Sequence, residues 1–371
     1  MKKFLPIILV LSLIKLIIQL LGNRNYGFHR DELLHLSVSE HLEWGFMEFP
    51  PLIGAIGKVS YWLFDYTLLG TRLFPTLAGV AILILCCLMA IELGGKSKAV
   101  LLSGICVLSF LPFYRNHTLF QPVAFNQLFW TLGFYFFIKF INSENKKFLI
   151  LTGITLGLGL MNKYTILIWA FGLFIGLFFY KKANLFKNKW LYISVLISLL
   201  IVTPNIIWQI QHDFPLLQHL QALNEKQLSE INPLDFGFEQ LNYPFTLAIS
   251  LIGLVALMTD KHLKKYRSVG IATIVIFSTM WLLHSKAYYV FAIYPVLFAS
   301  GAVKIESLFS KKPVWVYVIA AVTLGPSIYF IPEATPILPI EKFVEYKNLE
   351  EKNGRVELTG DYPDPPGREQ Q

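Results

Sequence analysis

The sequence predicts an all-α polytopic membrane protein, a bundle of about eleven transmembrane helices with interfacial helices in its first outer loop. Three observations carry that prediction. Hydrophobic residues make up 55% of the 371 residues and charged residues only 15%, whereas a soluble domain carries about 25% charge. Mean hydropathy is +0.54. Apolar runs of about 20 residues recur along the chain, the length that crosses a hydrocarbon core of about 30 Å. This composition excludes an ordinary soluble enzyme, a disordered chain and a collagen-like fibre.

The predicted spans are 4–22, 72–93, 98–114, 120–141, 147–161, 164–180, 190–210, 241–259, 268–284, 288–305 and 313–331. The first follows Lys2-Lys3. No small-x-small cleavage site comes after it, so it is expected to stay as an uncleaved span. Asn162-Lys163-Tyr164 interrupts the 147–180 region, which also reads as one long broken element. Pro75, Pro112, Pro204, Pro295 and Pro326 are expected to kink spans and open cavities. Cys86, Cys87 and Cys106 all lie in apolar runs, which excludes an external disulfide framework or a metal cluster of the usual spacing.

The net charge of +8 and pI of about 9.2 do not point to nucleic acid, because Lys and Arg sit in short loops between apolar runs. Lys2/Lys3, Lys96/Lys98, Lys146/Lys147, Lys181/Lys182/Lys187/Lys189, Lys261/Lys264/Lys265/Arg267 and Lys311/Lys312 occupy alternate loops. The positive-inside rule makes these cytoplasmic. The opposite loops hold most carboxylates, including Asp31, Glu32, Glu48, Asp213, Glu230 and Asp235. The N-terminus is then cytoplasmic and the tail extracytoplasmic. The organisation expected is a transmembrane domain over 1–331, with outer loops at 22–71 and 212–240, and a short tail over 332–371. The first outer loop reads as two interfacial helices, Asp31 to Trp44 and Leu52 to Phe64, joined through Phe49-Pro50-Pro51.

Four ionisable residues, His29-Arg30-Asp31-Glu32, directly follow the first span. One reading is an interfacial anchor and helix start, with Asp31 as N-cap or first-turn acid. The other is a carboxylate at the mouth of a membrane cavity, acting as general base on an acceptor hydroxyl. His35 falls on the same helical face. Lys58, Arg72, Arg115, His117, Lys163, His284 and Lys286 lie near outer span ends, where the positive-inside rule disfavours cations. Singly they read as snorkelling or structural residues. Together they suit a lipid phosphate or diphosphate, whose departure they would stabilise. Lys15, mid-span, either faces a functional pathway or packs on a carboxylate or carbonyl. Asn126, Gln127, Asn205 and Gln209 read as interhelical hydrogen-bonding groups. The Asn116-His117-Thr118 sequon is best explained by chance. The chain has no Walker loop, HExxH or Gly-rich nucleotide fingerprint, so an outward-facing enzyme needs a lipid-carried activated donor.

Several motifs occur in order: Phe28-His29-Arg30-Asp31-Glu32-Leu33, Trp44-Gly45-Phe46, Phe49-Pro50-Pro51-Leu52, Leu119-Phe120-Gln121-Pro122 with Phe129-Trp130, and Gly157-Leu158-Gly159-Leu160-Met161-Asn162-Lys163-Tyr164. Over roughly residues 20–210 the chain resembles the bacterial GT-C glycosyltransferases related to protein O-mannosyltransferases and to lipid A aminoarabinose transferases. The resemblance implies a GT-C-like bundle and an active-site acid in the first loop, beside a lipid-phosphate donor. Carried over, Asp31 is the candidate base and Glu32 the second choice or orienting acid. Lys58, Arg72, Arg115, Lys163 and Lys286 are candidates for the donor phosphate, with only Lys163 in a matched motif. His29, Arg30, His35, Glu48 and His117 are candidate lining residues.

The chain departs from that pattern in three places. Relatives often have Asp-His-Pro-Pro where this chain has Glu48-Phe49-Pro50-Pro51. They often carry an Asp within the stretch that here reads Pro122-Val123-Ala124-Phe125-Asn126, which weakens a second-carboxylate mechanism. Many continue into an outer soluble domain, whereas this chain stops at Gln371, so acceptor recognition is expected to differ or the chain to be a truncated form.

The function expected is transfer of a sugar, with inversion, from a polyprenyl-phosphate donor to a lipid, glycan or protein acceptor outside a bacterial inner membrane. A transporter or flippase of lipid-linked saccharides shares the cavity, the cations and Lys15. The long outer loop and the absence of an inverted repeat count against it. A catalytically dead scaffold predicts donor binding without turnover. The sequence does not decide whether a divalent cation is needed; carboxylates such as Asp31 and Glu48 are candidates to bind one through oxygen ligands.

Overall fold

The computed structural model describes residues 2–180, 185–223, 225 and 232–352. Lys181, Lys182, Glu230 and the tail beyond Lys352 lie outside the described residues. Within them the chain is helical throughout: α1 (Leu5–Gly22), α2 (Arg30–Glu40), α3 (Leu52–Phe64), α4 (Leu68–Glu92), α5 (Ser97–Ser109), α6 (Pro112–Thr118), α7 (Pro122–Ser143), α8 (Lys146–Leu160), α9 (Ile166–Leu177), α10 (Lys189–Gln211), α11 (Pro215–Leu223), α12 (Pro233–Leu241), α13 (Pro244–Thr259), α14 (Arg267–Leu282), α15 (Tyr294–Leu308), α16 (Val314–Ala334) and α17 (Ile340–Lys352).

Every predicted apolar run is helical, but a count of eleven spans is not shown. Among the described residues, five helices are long and apolar enough to cross a membrane: α1, α4, α10, α15 with its leading turn from Ala287, and α16. Two bent pairs raise the number to seven: α5 with α6 at 69°, and α12 with α13 at 103°. Helices α8, α9 and α14 have 15, 12 and 16 residues. At a rise of about 1.5 Å per residue they are shorter than a core of about 30 Å. Helix α7 has the length, but Asn126, Gln127 and Lys139 dilute its apolar character.

The prolines divide into two groups. Pro75, Pro204 and Pro326 lie inside α4, α10 and α16. Pro112 and Pro295, expected to kink spans, instead occupy first turns of α6 and α15, where the missing N–H has no helical partner to lose. The α5–α6 bend is filled by aromatic packing. Phe110 is fully buried and meets Phe113, Tyr243, Phe291, Tyr294 and Phe298 at centroid distances of 4.8–5.8 Å. Such pairs add about 0.5–1.5 kcal/mol each beyond area burial.

Glycines set the closest helix contacts. A Cβ on Gly153 would stand 2.2 Å from the Ser194 carbonyl oxygen, and one on Gly157 2.8 Å from Ile201, so α8 and α10 meet backbone to backbone. Gly172 and Gly176 do the same for α9 against α14, and Gly253 with Gly301 for α13 against α15. Small residues four apart permit this approach where apolar burial alone gives helices no preference for one another over lipid.

The first outer loop folds as two helices packed together over α4. Helix α3 has the predicted limits, whereas α2 ends at Glu40, short of the expected Trp44. The segment after it is tied elsewhere. Asn205 Nδ2 donates to the Trp44 carbonyl at 2.8 Å, and a Cβ on Gly45 would collide with Trp208. The Leu52 N–H donates to the Met161 carbonyl at 2.8 Å. These bonds place the loop over the α8–α9 break, so Lys163 comes to the same end of the bundle as α2.

Candidate active site

The start of α2 is fixed by a capping box. His29 is the N-cap, its Nδ1 accepting from the Asp31 N–H at 3.2 Å. Glu32 reaches back to the His29 N–H at 2.9 Å. Glu32 is fully buried and also accepts from Arg72 Nε at 3.0 Å, Arg72 Nη2 at 2.7 Å and the Phe120 N–H at 3.0 Å. Two bonds reach each oxygen, so all four lone-pair positions of the carboxylate are filled. Arg72 is 2% exposed. Nη1 donates to the Asn25 carbonyl at 3.3 Å and Nη2 also to the Gly27 carbonyl at 2.9 Å. This clasp joins α2, α4 and the chain before α7.

Asp31 has a different setting one residue away. Its side chain is 43% exposed. Oδ1 accepts from Arg30 Nε at 3.3 Å and Oδ2 from Gln121 Nε2 at 3.0 Å. One lone pair on each oxygen remains open, and the carboxylate sits in the first helical turn, where the macrodipole favours negative charge. Arg30 is 80% exposed, so the pair is screened by solvent.

Cations and aromatic hydroxyls gather beside Asp31. Lys163 Nζ lies 4.4 Å from the Tyr289 ring centroid. Lys163 and Lys286 both act electrostatically on Tyr289, and Asp31 and Arg115 on Tyr288. His35 is 6% exposed, lies 4.7 Å from the Phe49 ring, and its Nδ1 has no hydrogen-bond partner among the described residues. Burial pushes its pKa down to about 4, with Asp31 opposing and Lys163 adding to that shift. The imidazole is therefore neutral at physiological pH.

Other expected site residues fall elsewhere. Lys58 is exposed on α3, with Nζ 5.6 Å from the Tyr61 ring. Glu48 is exposed in the loop before α3. His117 is buried among Phe113, Gly79 and Gln127, bonding Gln127 Oε1 at 2.9 Å. Lys15 packs on the Tyr114 ring at 4.5 Å rather than on a carboxylate or carbonyl. Among the described residues, no three His, Cys, Asp or Glu converge as metal ligands do. No step is therefore assigned to a divalent cation.

Residues missed by sequence reasoning are Gln121, Tyr288, Tyr289 and Tyr26. The Leu119–Pro122 motif held a signal for Gln121, and the Tyr288-Tyr289 pair follows Lys286 closely. Tyr26 had no sequence signal. It adopts φ 60°, the left-handed region, and borders a cleft of about 480 Å³ with His29, Arg115, Thr335 and Phe343.

Residues 48–208 match the family described as dolichyl-phosphate-mannose-protein mannosyltransferase. Comparison with curated proteins gives no match. Among solved structures, the fold is similar to ArnT from Cupriavidus metallidurans bound to undecaprenyl phosphate, with TM-score 0.68 and 15% identity, covering 89% of this chain and 65% of that one. It is also similar to the Archaeoglobus fulgidus oligosaccharyltransferase tethered to an acceptor peptide containing the NVT sequon. That match has TM-score 0.64 and 13% identity, covering 89% of this chain and 55% of that one. At these identities the likeness shows the fold, which is GT-C-like. The chain spans 65% of the length of the ArnT structure.

Proposed function

We propose, from the mannosyltransferase-type region over residues 48–208, that this chain is an integral membrane glycosyltransferase. It moves a sugar from a polyprenyl-phosphate donor to an acceptor hydroxyl, with inversion, on the extracytoplasmic side of a bacterial inner membrane. One observation carries the residue assignment. Of two adjacent carboxylates, Glu32 has every lone pair engaged by Arg72, His29 and Phe120, while Asp31 keeps acceptor capacity.

Asp31 takes the proton of the acceptor hydroxyl as its oxygen attacks the anomeric carbon. The bond from that carbon to the phosphate oxygen breaks, and the electron pair leaves with the polyprenyl phosphate. General-base catalysis of this kind contributes about 10²–10⁴-fold. Lys163 and Lys286, both acting at Tyr289, stabilise the charge that grows on the leaving phosphate. Neutral His35 brings no positive charge to Asp31, so the base is not offset by an imidazolium. Glu32 and Arg72 hold the start of α2 in place rather than touching substrate.

Donor turnover by the purified protein in detergent tests the reading. Transfer or release of labelled sugar is expected without any membrane compartment. A protein that binds the donor but moves it only between the leaflets of sealed vesicles is a transporter instead.

A further inference from the structure

The clasp does more than hold α2. Arg72 bonds the carbonyls of Asn25 and Gly27, on either side of Tyr26. Asn25 Nδ2 donates to the Pro336 carbonyl at 2.7 Å. Tyr26 is thereby kept at φ 60°, a conformation that persists only where its surroundings over-determine it. Its ring meets Phe343 of α17 edge to face, at 6.3 Å. Thr118 and Thr335 hydroxyls, 3.2 Å apart, join α6 to the chain leaving α16.

These contacts enclose the cleft of about 480 Å³. Its charged groups are unequal. Arg72 spends four of its five N–H donors on Glu32 and two carbonyls. Glu333 pairs with Lys347 at 3.5 Å. Arg115 is exposed, and its guanidinium has no hydrogen-bond or ion-pair partner among the described residues. His29, at the inner edge, lies 3.8 Å from Asp31 Oδ2 through Nδ1. One wall of the cleft, His29, thus stands next to the proposed base.

We propose that this cleft is the acceptor subsite and takes a hydroxyl-bearing sugar that carries a phosphate. The inference rests on the transferase reading and deepens it. The Tyr26 and Phe343 rings offer faces to the sugar C–H groups, and Arg115 matches a phosphate through two parallel N–H bonds. The volume lies within the range of small-molecule sites. A sugar seated there presents a hydroxyl to Asp31 past His29. That hydroxyl loses its proton to Asp31, its oxygen bonds the donor's anomeric carbon, and the donor phosphate departs with the bonding pair.

Equilibrium binding to the purified full chain tests this, using N-acetylglucosamine 1-phosphate as probe and N-acetylglucosamine as its uncharged partner. Saturable binding of the phosphosugar is expected, at least about tenfold tighter than the uncharged sugar. Tyr26→Ala, Phe343→Ala and Arg115→Gln should each weaken it about tenfold or more, with Arg115→Lys losing less. Melting temperatures matching wild type would separate loss of contact from loss of fold. No saturable binding, or affinity unchanged in all three variants, would overturn the proposal. So would displacement of the probe by phosphatidylglycerol nanodiscs but not phosphatidylcholine ones, which would make the cleft a lipid-headgroup seat. A parallel measurement with undecaprenyl phosphate keeps the two ideas apart. Lost lipid binding with retained phosphosugar binding sinks the transferase reading, whereas the reverse sinks only the acceptor cleft.

Discussion

The two ends of the bundle use charge differently. At the end away from α2, the buried and half-buried carboxylates are spent on structure. Glu306 accepts from the N–H groups of Lys96, Lys98 and Ala99 at 2.6–3.1 Å and so caps α5. Asp260 pairs with Lys304 at 2.6 Å, which holds its carboxyl below the usual range. Glu92 pairs with Lys139 at 3.2 Å. At the α2 end, one carboxylate is spent in the same manner and its neighbour is not. Glu32 is locked to Arg72, while Asp31 keeps acceptor capacity beside Lys163, Arg115 and two tyrosines. Glu32 accepts four bonds and Asp31 two. Saturation and burial together separate Glu32, fully buried, from Asp31, whose side chain is 43% exposed.

The largest stability effect should come from unbalancing the clasp. Glu32→Gln or Arg72→Met leaves an uncompensated buried charge, at a cost of about 3–5 kcal/mol. The double variant Glu32→Gln/Arg72→Met should recover part of that loss in denaturant unfolding. Equal, additive losses would mean the pair is not the unit described.

His35 sharpens the comparison through pH. Its folded pKa is lowered from 6.5 to about 4, so the unfolded chain binds the proton more readily. Stability is full above about pH 6.5 and falls as pH drops through about 4, by up to about 3 kcal/mol. His35→Gln should flatten that slope. A slope unchanged in the variant would mean that His35 is not its source.

A smaller effect is expected at the far end. Glu306→Gln keeps the shape but removes the charge capping α5, costing about 0.3–1 kcal/mol, with donor turnover unaffected. The smallest is Lys58→Ala. Exposed on α3 over the Tyr61 ring, it should shift stability by no more than about 0.5 kcal/mol and leave donor affinity alone. A large loss of donor affinity would restore Lys58 to the phosphate site.

Much of this architecture was legible because apolar runs report helices directly. The predicted runs 190–210 and 313–331 appear as Lys189–Gln211 and Val314–Ala334. Their number as membrane spans was not, since a polar interruption such as Asn162-Lys163-Tyr164 leaves open whether one long helix or two short ones result. The first-loop acids were visible as a cluster. Their division of labour was not, because the partner of Glu32 is 40 positions away in sequence. The Gly153/Gly157 and Gly172/Gly176 spacings did carry a readable signal for close helix approach. The left-handed Tyr26 had none, as its conformation is imposed by Arg72 and Pro336.

The most direct test of the central claim is single-turnover release of radiolabelled sugar from synthetic polyprenyl-phosphate donors. It compares purified wild type with Asp31→Asn, a substitution at a half-exposed site that should leave folding intact. Asp31→Asn should slow the chemical step by about 10²–10⁴-fold, with donor binding and melting temperature close to wild type. Equal rates from the two proteins would contradict it and move the base away from Asp31.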